Sequence, residues 1–314
     1  MMNSLISIAM ATYNGEKFIA EQLDSILSQS YGNLEIIICD DHSTDSTPAI
    51  LKNYAMQDGR IKVFFNAENL GLVKNFEIAL SLCGGEYIAL ADQDDIWEKE
   101  KIATLLQEIG DCALIHSDAS LIDGEGKLLA PSYSRYSRKI LGKDIYSYLL
   151  HNNVTGCTAL FSRKLLEYAL PFPDHIFVHD WWLTLCAYKF GGITYIDEPL
   201  IRYRQHGCNQ IGAADTRKIH PFNAREKAYK KTLMFMKTLM NVSFFSSQEK
   251  NFITEVHSYF SEFFSNRLRP RSFLFHLRYF NYLNEGKPFL YKLIGLFLSF
   301  FGDKIQRLMW RHQK

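Results

Sequence analysis

Tyr87-Ile88-Ala89-Leu90-Ala91-Asp92-Gln93-Asp94-Asp95-Ile96-Trp97 sets an apolar run directly against three carboxylates within four residues. A short run with no polar alternation reads as a strand buried on both faces of a sheet. Asp92, Asp94 and Asp95 then fall at its carboxyl end. One acid has an ordinary explanation, because Asp95 ahead of a helical stretch from Ile96 to Gly110 would serve as an N-cap. Capping uses one carboxylate and leaves two. Crowded carboxylates repel and persist mostly where a cation or a polar ligand compensates them. Taken alone, the stretch balances evenly between a capped turn and a metal or ligand site.

The residues around it set the context. Apolar runs at Leu5–Met10, Leu34–Cys39, Lys62–Asn66, Tyr87–Ala91 and Ala113–Ser117 alternate with Lys17–Ser28, Thr47–Gln57 and Leu72–Cys83, which carry apolar residues at helical spacing. Ser43 to Pro48 supplies capping residues and a proline suited to a first helical turn. This β-α-β-α order predicts an α/β domain, a mostly parallel sheet with helices on both faces. Ligands of such sheets sit at the carboxyl ends of the strands, so Thr12 to Gly15, Asp40-Asp41 and Asp92 to Asp95 should open onto one edge. Neither a G-x-G-x-x-G after the first strand nor a G-x-x-x-x-G-K-[ST] is present. A phosphate ligand held without a glycine cradle needs another positive charge, and a divalent cation on the acidic loop would supply it.

The chain of 314 residues has room for one large or two ordinary domains, and its net charge of +1 hides an asymmetry. Residues 217–314 hold 18 Lys and Arg against 6 Asp and Glu, a net +12, which leaves −11 for residues 1–216. The expected division is therefore a catalytic domain over 1–216 and a basic, aromatic, mainly helical region over 217–314. Met1 to Ser4 runs straight into the first strand without a basic leader, and the six cysteines show no C-x-x-C pair, which reads as a cytoplasmic protein with reduced thiols. Tyr133–Lys143, polar and rich in tyrosine, reads as a loop.

Ala11-Thr12-Tyr13-Asn14, Cys39-Asp40-Asp41-His42-Ser43-Thr44-Asp45, Asn69-Leu70-Gly71 with Lys74-Asn75, Asp92-Gln93-Asp94-Asp95, His179-Asp180 and Arg204-Gln205-His206 follow one another in an order that resembles the family-2 inverting glycosyltransferases of GT-A fold. The resemblance covers about the first 210 residues and rests on six motifs in order. Within that family, DQDDIW, NNVTG, HDWW and YRQHG are similar to bacterial rhamnosyltransferases of cell-wall or surface polysaccharide synthesis.

The resemblance implies roles. Thr12, Asn14, Asp41, Lys74, Asn75 and Asp92 would bind the nucleotide-sugar, Asp41 at the N3–H of a uracil or thymine and Asp92 on the ribose side or at a metal-bound water. Asp94 would ligate Mn²⁺ or Mg²⁺ on the diphosphate, and His206 would complete the metal shell, imidazole suiting Mn²⁺ better. Asp180 would be the base that takes the proton of the acceptor hydroxyl. Thr155, Gly156, Trp181 and Trp182 would line the acceptor site, with one indole facing the acceptor and the other the core. Each residue also has a plainer reading, as turn acid, solvated lysine, core tryptophan or helix cap.

The implied reaction moves L-rhamnose from dTDP-L-rhamnose to a growing, lipid-linked surface glycan. Alternatives are a UDP-hexose or UDP-N-acetylhexosamine donor, and a non-catalytic GT-A scaffold. Two readings of the basic region stand equal: a peripheral contact with the inner face of the cytoplasmic membrane, or a helical subdomain that packs on the catalytic domain or forms a homodimer. Phe289–Phe301 is too short and too interrupted by Lys292 to span a bilayer. Nucleic acid is excluded as a partner, because no nucleic-acid module is present and the acidic half would repel phosphate backbones.

Overall fold

The computed structural model describes residues 3–137, 144–207, 221–262, 268–283 and 289–299. Two compact units divide the chain: residues 1–139, 152–172 and 178–214 form the first, and residues 140–151, 173–177 and 215–314 the second.

The first unit is a mixed α/β sheet with helices. Its strands are β1 (Ile6–Thr12), β2 (Leu34–Asp40), β3 (Ile61–Phe65), β4 (Tyr87–Ala91), β5 (Ile96–Trp97), β6 (Leu114–Ile122), β7 (Leu128–Ala130), β8 (Ala159–Ser162) and β9 (Ile193–Arg204). They run in the order β3-β2-β1-β4-β8-β6-β9-β5, with β7 beside β6. Every residue of β1 and β2 is buried, as mostly aliphatic strands in the middle of a covered sheet should be, and the buried polar ones are paired, Ser7 with Glu35 and Thr12 with Asp40. The neighbours β3-β2-β1-β4 are all parallel. The expected α/β class with a parallel sheet is observed.

Helices α1 (Ile19–Leu27), α2 (Thr47–Gln57) and α3 (Leu72–Ser81) lie where the periodicity puts them. α1 buries Ile19, Gln22, Leu23, Ser25 and Ile26, a single stripe at helical spacing. Asp45 rather than Ser46 tends the start of α2, its Oδ1 accepting from the Thr47 N–H at 2.9 Å.

The chain departs from the expected pattern after β4. Ile96 and Trp97 do not begin a helix; they form β5, paired antiparallel with Arg202 and Ile201 of β9, and the helix α4 starts at Lys101 and ends at Glu108. Asp95 therefore caps nothing. An apolar pair before a helix cannot announce that a strand edge more than a hundred residues later will claim it.

β8 enters the sheet between β4 and β6, antiparallel to both, so β6 runs in the direction of β4, and β9 is parallel to β6. The carboxyl ends of β1, β2, β4, β6 and β9 consequently face the same edge. α5 (Tyr133–Ser137) occupies the start of the expected polar loop, of which 138–143 lie outside the described residues. Cys39, Cys83, Cys112, Cys157 and Cys186 are free thiols.

In the second unit, α6 (Ile145–Leu150) has a side-chain cap, Asp144 Oδ1 accepting from the Ser147 N–H at 3.0 Å. The first unit contributes α7 (Leu166–Ala169) and α8 (His179–Phe190), and the second continues with α9 (Pro221–Met240), α10 (Ser247–Glu262), α11 (Pro270–Arg278), α12 (Phe280–Leu283) and α13 (Phe289–Ser299). Phe235, Met236 and Leu239 of α9 and Phe252, Ile253 and Val256 of α10 are buried, one stripe from each of two packed helices. Tyr146 meets Phe252 edge-on, and the Tyr282 hydroxyl donates to Asp144. No described helix is long and apolar enough to cross a membrane.

Candidate active site

Three loops leave the carboxyl ends of β1, β2 and β4 and are knitted together by hydrogen bonds. The Asp41 N–H donates to the Thr12 carbonyl at 2.8 Å, and the Thr12 hydroxyl donates to Asp40 Oδ1 at 2.9 Å. Asn14, at a left-handed φ of 48° that asparagine tolerates, donates its N–H to Ser43 Oγ at 2.8 Å and accepts from the Thr44 N–H at 2.9 Å. Gln93 grips the first loop with both ends of its amide: Oε1 accepts from the Tyr13 N–H at 2.8 Å, and Nε2 donates to the Tyr13 carbonyl at 3.1 Å. A Cβ on Gly15 would stand 2.4 Å from Gln93 Oε1, so glycine is what lets the amide in.

Asp41 is buried. Its Oδ1 accepts from Asn66 Nδ2 at 2.9 Å and the Leu70 N–H at 2.8 Å, and its Oδ2 from the Gly71 N–H at 2.8 Å. An ionised carboxylate has about four acceptor positions, which leaves Oδ2 able to take one more donor. Asn75 is buried and spent internally, accepting from Asn66 Nδ2 and donating to the Cys39 carbonyl at 2.7 Å. Lys74 is paired with Glu77 on the surface of α3 at 2.8 Å. Asn75 thus holds the Asp41 loop in place.

The acidic loop is held from β9. Arg204, only 2% exposed, donates its backbone N–H to Asp95 Oδ1 at 2.9 Å, its Nε to the Asp94 carbonyl at 2.7 Å and its Nη2 to Glu21 Oε2 at 2.6 Å, while its guanidinium lies over the Phe18 ring. Two residues on, His206 Nε2 is 2.8 Å from Asp94 Oδ2, and its ring packs against Phe18. Because β9 is parallel in sense to β4, its carboxyl end delivers His206 to the Asp94 loop.

Burial, then the charges of Asp94 and Asp180, push the half-buried Asp92 carboxyl up to about 7. Burial also raises Asp94, against the lowering contact with His206, and raises Asp95 well above the carboxylate range with help from Asp94 and Asp92. Asp180, at the start of α8, is therefore close enough to be felt by Asp92. It is held by two donors, Asn152 Nδ2 on Oδ1 at 2.9 Å and the Gly156 N–H on Oδ2 at 3.0 Å. Thr155 precedes that glycine, and its carbonyl accepts from the Thr158 hydroxyl.

His179 is buried, stacked on Phe76 with ring centroids 3.8 Å apart, and burial lowers its imidazole below the usual range. Trp181 and Trp182 are both core residues, 6% and 2% exposed, and Trp182 Nε1 donates to the Ala169 carbonyl at 2.9 Å. Both indoles thus sit where the plainer core reading puts them, neither being openly exposed as the expectation of one acceptor-facing indole required.

A metal ion can be tested against these donors. Asp92, Asp95 and Cys157 bring ligand atoms within 4.8 Å of one another. Asp95 Oδ2 takes no hydrogen bond, but the thiol suits soft metals, so the trio as a whole is a poorer seat for Mg²⁺ or Mn²⁺ than an all-oxygen or imidazole set. Asp94 and His206 offer one carboxylate and one imidazole side by side at the sheet edge. Hard ions that bind nucleotides take one or two protein ligands and complete their shell with water and phosphate, and the pair fits that need.

The family model for Glycosyl transferase family 2 matches residues 7–169, just over half of the chain. This chain belongs to that family. The family-2 chain is 32% identical over 216 residues to an uncharacterised glycosyltransferase of Haemophilus influenzae, covering 65% of this chain and 66% of that protein. It is 33% identical over 218 residues to the dTDP-rhamnosyl transferase RfbG of Shigella flexneri (65% and 74%). Over 205 residues it is 32% identical to the Escherichia coli UDP-Glc:alpha-D-GlcNAc-diphosphoundecaprenol beta-1,3-glucosyltransferase WfgD (63% and 75%). Its span is thus about two thirds to three quarters of these relatives' lengths.

Solved structures of similar fold include Staphylococcus aureus TarS 1–349 in complex with UDP-GlcNAc, at TM-score 0.60 and 19% identity over 89% of this chain and 81% of that one. Another is the mannosyltransferase PcManGT of Pyrobaculum calidifontis in complex with GDP-Man and Mn²⁺, at TM-score 0.57 and 19% identity over 82% and 70%. At that identity they establish the fold, and the GT-A architecture of this family-2 glycosyltransferase agrees with it.

Gln93, Arg204, Asn152 and Lys101 support the site, and none of them carries a role in the sequence reading. Arg204 and Asn152 stand inside motifs already singled out, and Gln93 sits between the acids. Lys101 lies on the apolar stripe of α4, outside every motif.

Proposed function

We propose that this chain transfers L-rhamnose from dTDP-L-rhamnose, with inversion, to a hydroxyl of a growing lipid-linked surface glycan. The observation that carries a transferase reading is the convergence of Asp92, the Asp94–His206 pair and Asp180 on one edge of the sheet. The acceptor oxygen would form the new bond to the anomeric carbon as the bond from that carbon to the diphosphate breaks. The hydroxyl proton would pass to Asp180, whose two donors fix the carboxylate while leaving it acceptor capacity. Asp41 would take the N3–H of the pyrimidine on Oδ2. Thr12 and Asn14 would shape the nucleotide loop, with Asn75 and Lys74 behind it, and Thr155 and Gly156 would border the acceptor. Asp94 and His206 would hold Mn²⁺ or Mg²⁺, which would supply positive charge to the departing diphosphate.

Rhamnose rests on likeness to the Shigella enzyme, and a UDP-glucose donor is the second reading because the Escherichia coli relative is almost as similar. A thermal-shift comparison of dTDP-L-rhamnose, UDP-glucose and UDP-N-acetylglucosamine, each with and without Mn²⁺, separates the two. Ligands that bind only the folded state raise the apparent Tm, so preference for a UDP-sugar would overturn the rhamnose assignment. Asp180→Asn is expected to keep donor affinity and lose transfer by about 10²- to 10⁴-fold, the usual range for a removed general base. Near-normal turnover would remove Asp180 from that role.

The second unit would rest on an anionic membrane surface. Leu268, Leu274, Leu277, Leu293 and Phe297 are exposed, and Arg271 and Arg278 flank the leucines on α11. Flotation with phosphatidylglycerol vesicles, reduced by salt, is the expected result, and no flotation at low salt would refute the assignment.

A further inference from the structure

Lys101 is completely buried at the start of α4, on the same stripe as Ile102, Leu105 and Leu106. A methionine would pack there without the several kcal/mol that a buried ammonium costs. The amine donates to the Cys157 carbonyl at 2.6 Å and stands 3.4 Å over the Trp97 ring; burial lowers it to about 7, against nearby Asp95 and Asp92, whose charges favour the ammonium. Cys157 is the middle residue of the single 3₁₀ turn Gly156–Thr158. The N–H at the head of that turn, Gly156, is the donor on Asp180 Oδ2. The turn is seated tightly on the start of α8, because a Cβ at Gly156 would come within 3.2 Å of Asp180 Cβ and 3.3 Å of His179 Nε2.

We infer that Lys101 is a positioning residue for Asp180, acting through the Cys157 carbonyl and the Gly156 N–H to set the carboxylate at the reacting centre. The chain of hydrogen bonds runs from the start of α4 through one turn to the first residues of α8, separate from the charge that Lys101 also places near Asp92 and Asp95. The inference rests on the reading of Asp180 as the base.

Its test is a double-mutant cycle in the full chain, with kcat, donor KM and Tm measured for Lys101→Met, Asp180→Asn and the double variant. Lys101→Met is expected to lower kcat roughly 10- to 100-fold, in keeping with a misplaced catalytic group, with donor KM within about threefold and Tm a few degrees lower, because the buried Cys157 carbonyl loses its donor. The double variant is expected to be no slower than Asp180→Asn alone. Wild-type kcat in Lys101→Met would overturn the inference while leaving Asp180 as the base. Additive losses would also overturn it, placing Lys101 outside the Asp180 chain. A normal Asp180→Asn would instead sink the base assignment and this inference with it. If Lys101→Met proves unstable, Lys101→Leu takes its place in the cycle; a kcat loss that does not add to that of Asp180→Asn supports the inference, and a wild-type kcat or additive losses refute it.

Discussion

Replacing Arg204 with methionine keeps most of the buried volume and removes the fork that holds the acidic loop. The guanidinium is 2% exposed and its Nε serves the Asp94 carbonyl at 2.7 Å. Loss of a charged donor to a buried acceptor costs about 1.5–3 kcal/mol. The bond to Glu21 is shorter, 2.6 Å, but that carboxylate is 55% exposed and water replaces the arginine, so it adds less than about 1 kcal/mol. The contacts of Nη1 to the carbonyls of Asp123 and Gly124, at 3.4 and 3.3 Å, are long and add little. The total, about 3 kcal/mol, corresponds to a fall in Tm of roughly 6–12 °C in a domain of this size. Because the Asp94 backbone is released, Mn²⁺-dependent nucleotide binding should weaken in the same variant. Arg204→Lys should lie between, since one ammonium cannot reach Asp94 and Glu21 together. Differential scanning fluorimetry and titration calorimetry read the two effects. A Tm within about 2 °C of wild type, well short of the expected fall, together with unchanged Mn²⁺ dependence would refute the reasoning.

Asp94→Ala is expected to leave nucleotide-sugar binding indifferent to Mn²⁺ in calorimetry, and retained dependence would move the metal elsewhere. The raised Asp92 carboxyl predicts that, without metal, stability falls as pH rises from about 4 towards 7, because over that window the folded chain binds the extra proton. The lowered carboxyls of Glu35, Asp45 and Asp58 act in the opposite sense, adding stability that is lost only as pH falls through and below the usual carboxylate range. Asp92→Asn should flatten the slope of Tm against pH, and an unchanged slope would assign it to other groups. Gly15→Ala would push Gln93 off Tyr13, two hydrogen bonds of about 1 kcal/mol each, and raise donor KM about tenfold with little change in kcat; an unaltered KM would show that the grip does not shape the donor loop.

The parallel part of the fold was legible because β1, β2 and β4 are predominantly apolar runs separated by amphipathic helices. Their carboxyl-end acids therefore pointed to one edge before any coordinates. What was hidden is long-range. β5 is a strand only because β9 lies beside it, so Asp95 looked like a cap and is a partner of the Arg204 backbone. The two tryptophans carry no signal that separates a sugar platform from a core. Lys101 was readable in part: the stripe Lys101, Ile102, Leu105, Leu106 places a lysine on the apolar face of a helix, which already asks what its charge meets. What that charge meets, a carbonyl 56 residues away, needed the fold.

The second compact unit is stitched from three stretches, 140–151, 173–177 and 215–314. α6, in the first of them, gives up Asp144 to Tyr282 and packs Tyr146 on Phe252. A cut after residue 216 would therefore strand partners on both sides of the break. The same holds for gene exchange: a single crossover cannot graft this unit onto another catalytic domain, because two short inserts must travel with it. Lineages of such enzymes should then trade whole genes, or diverge in place, rather than shuffle this half as a cassette.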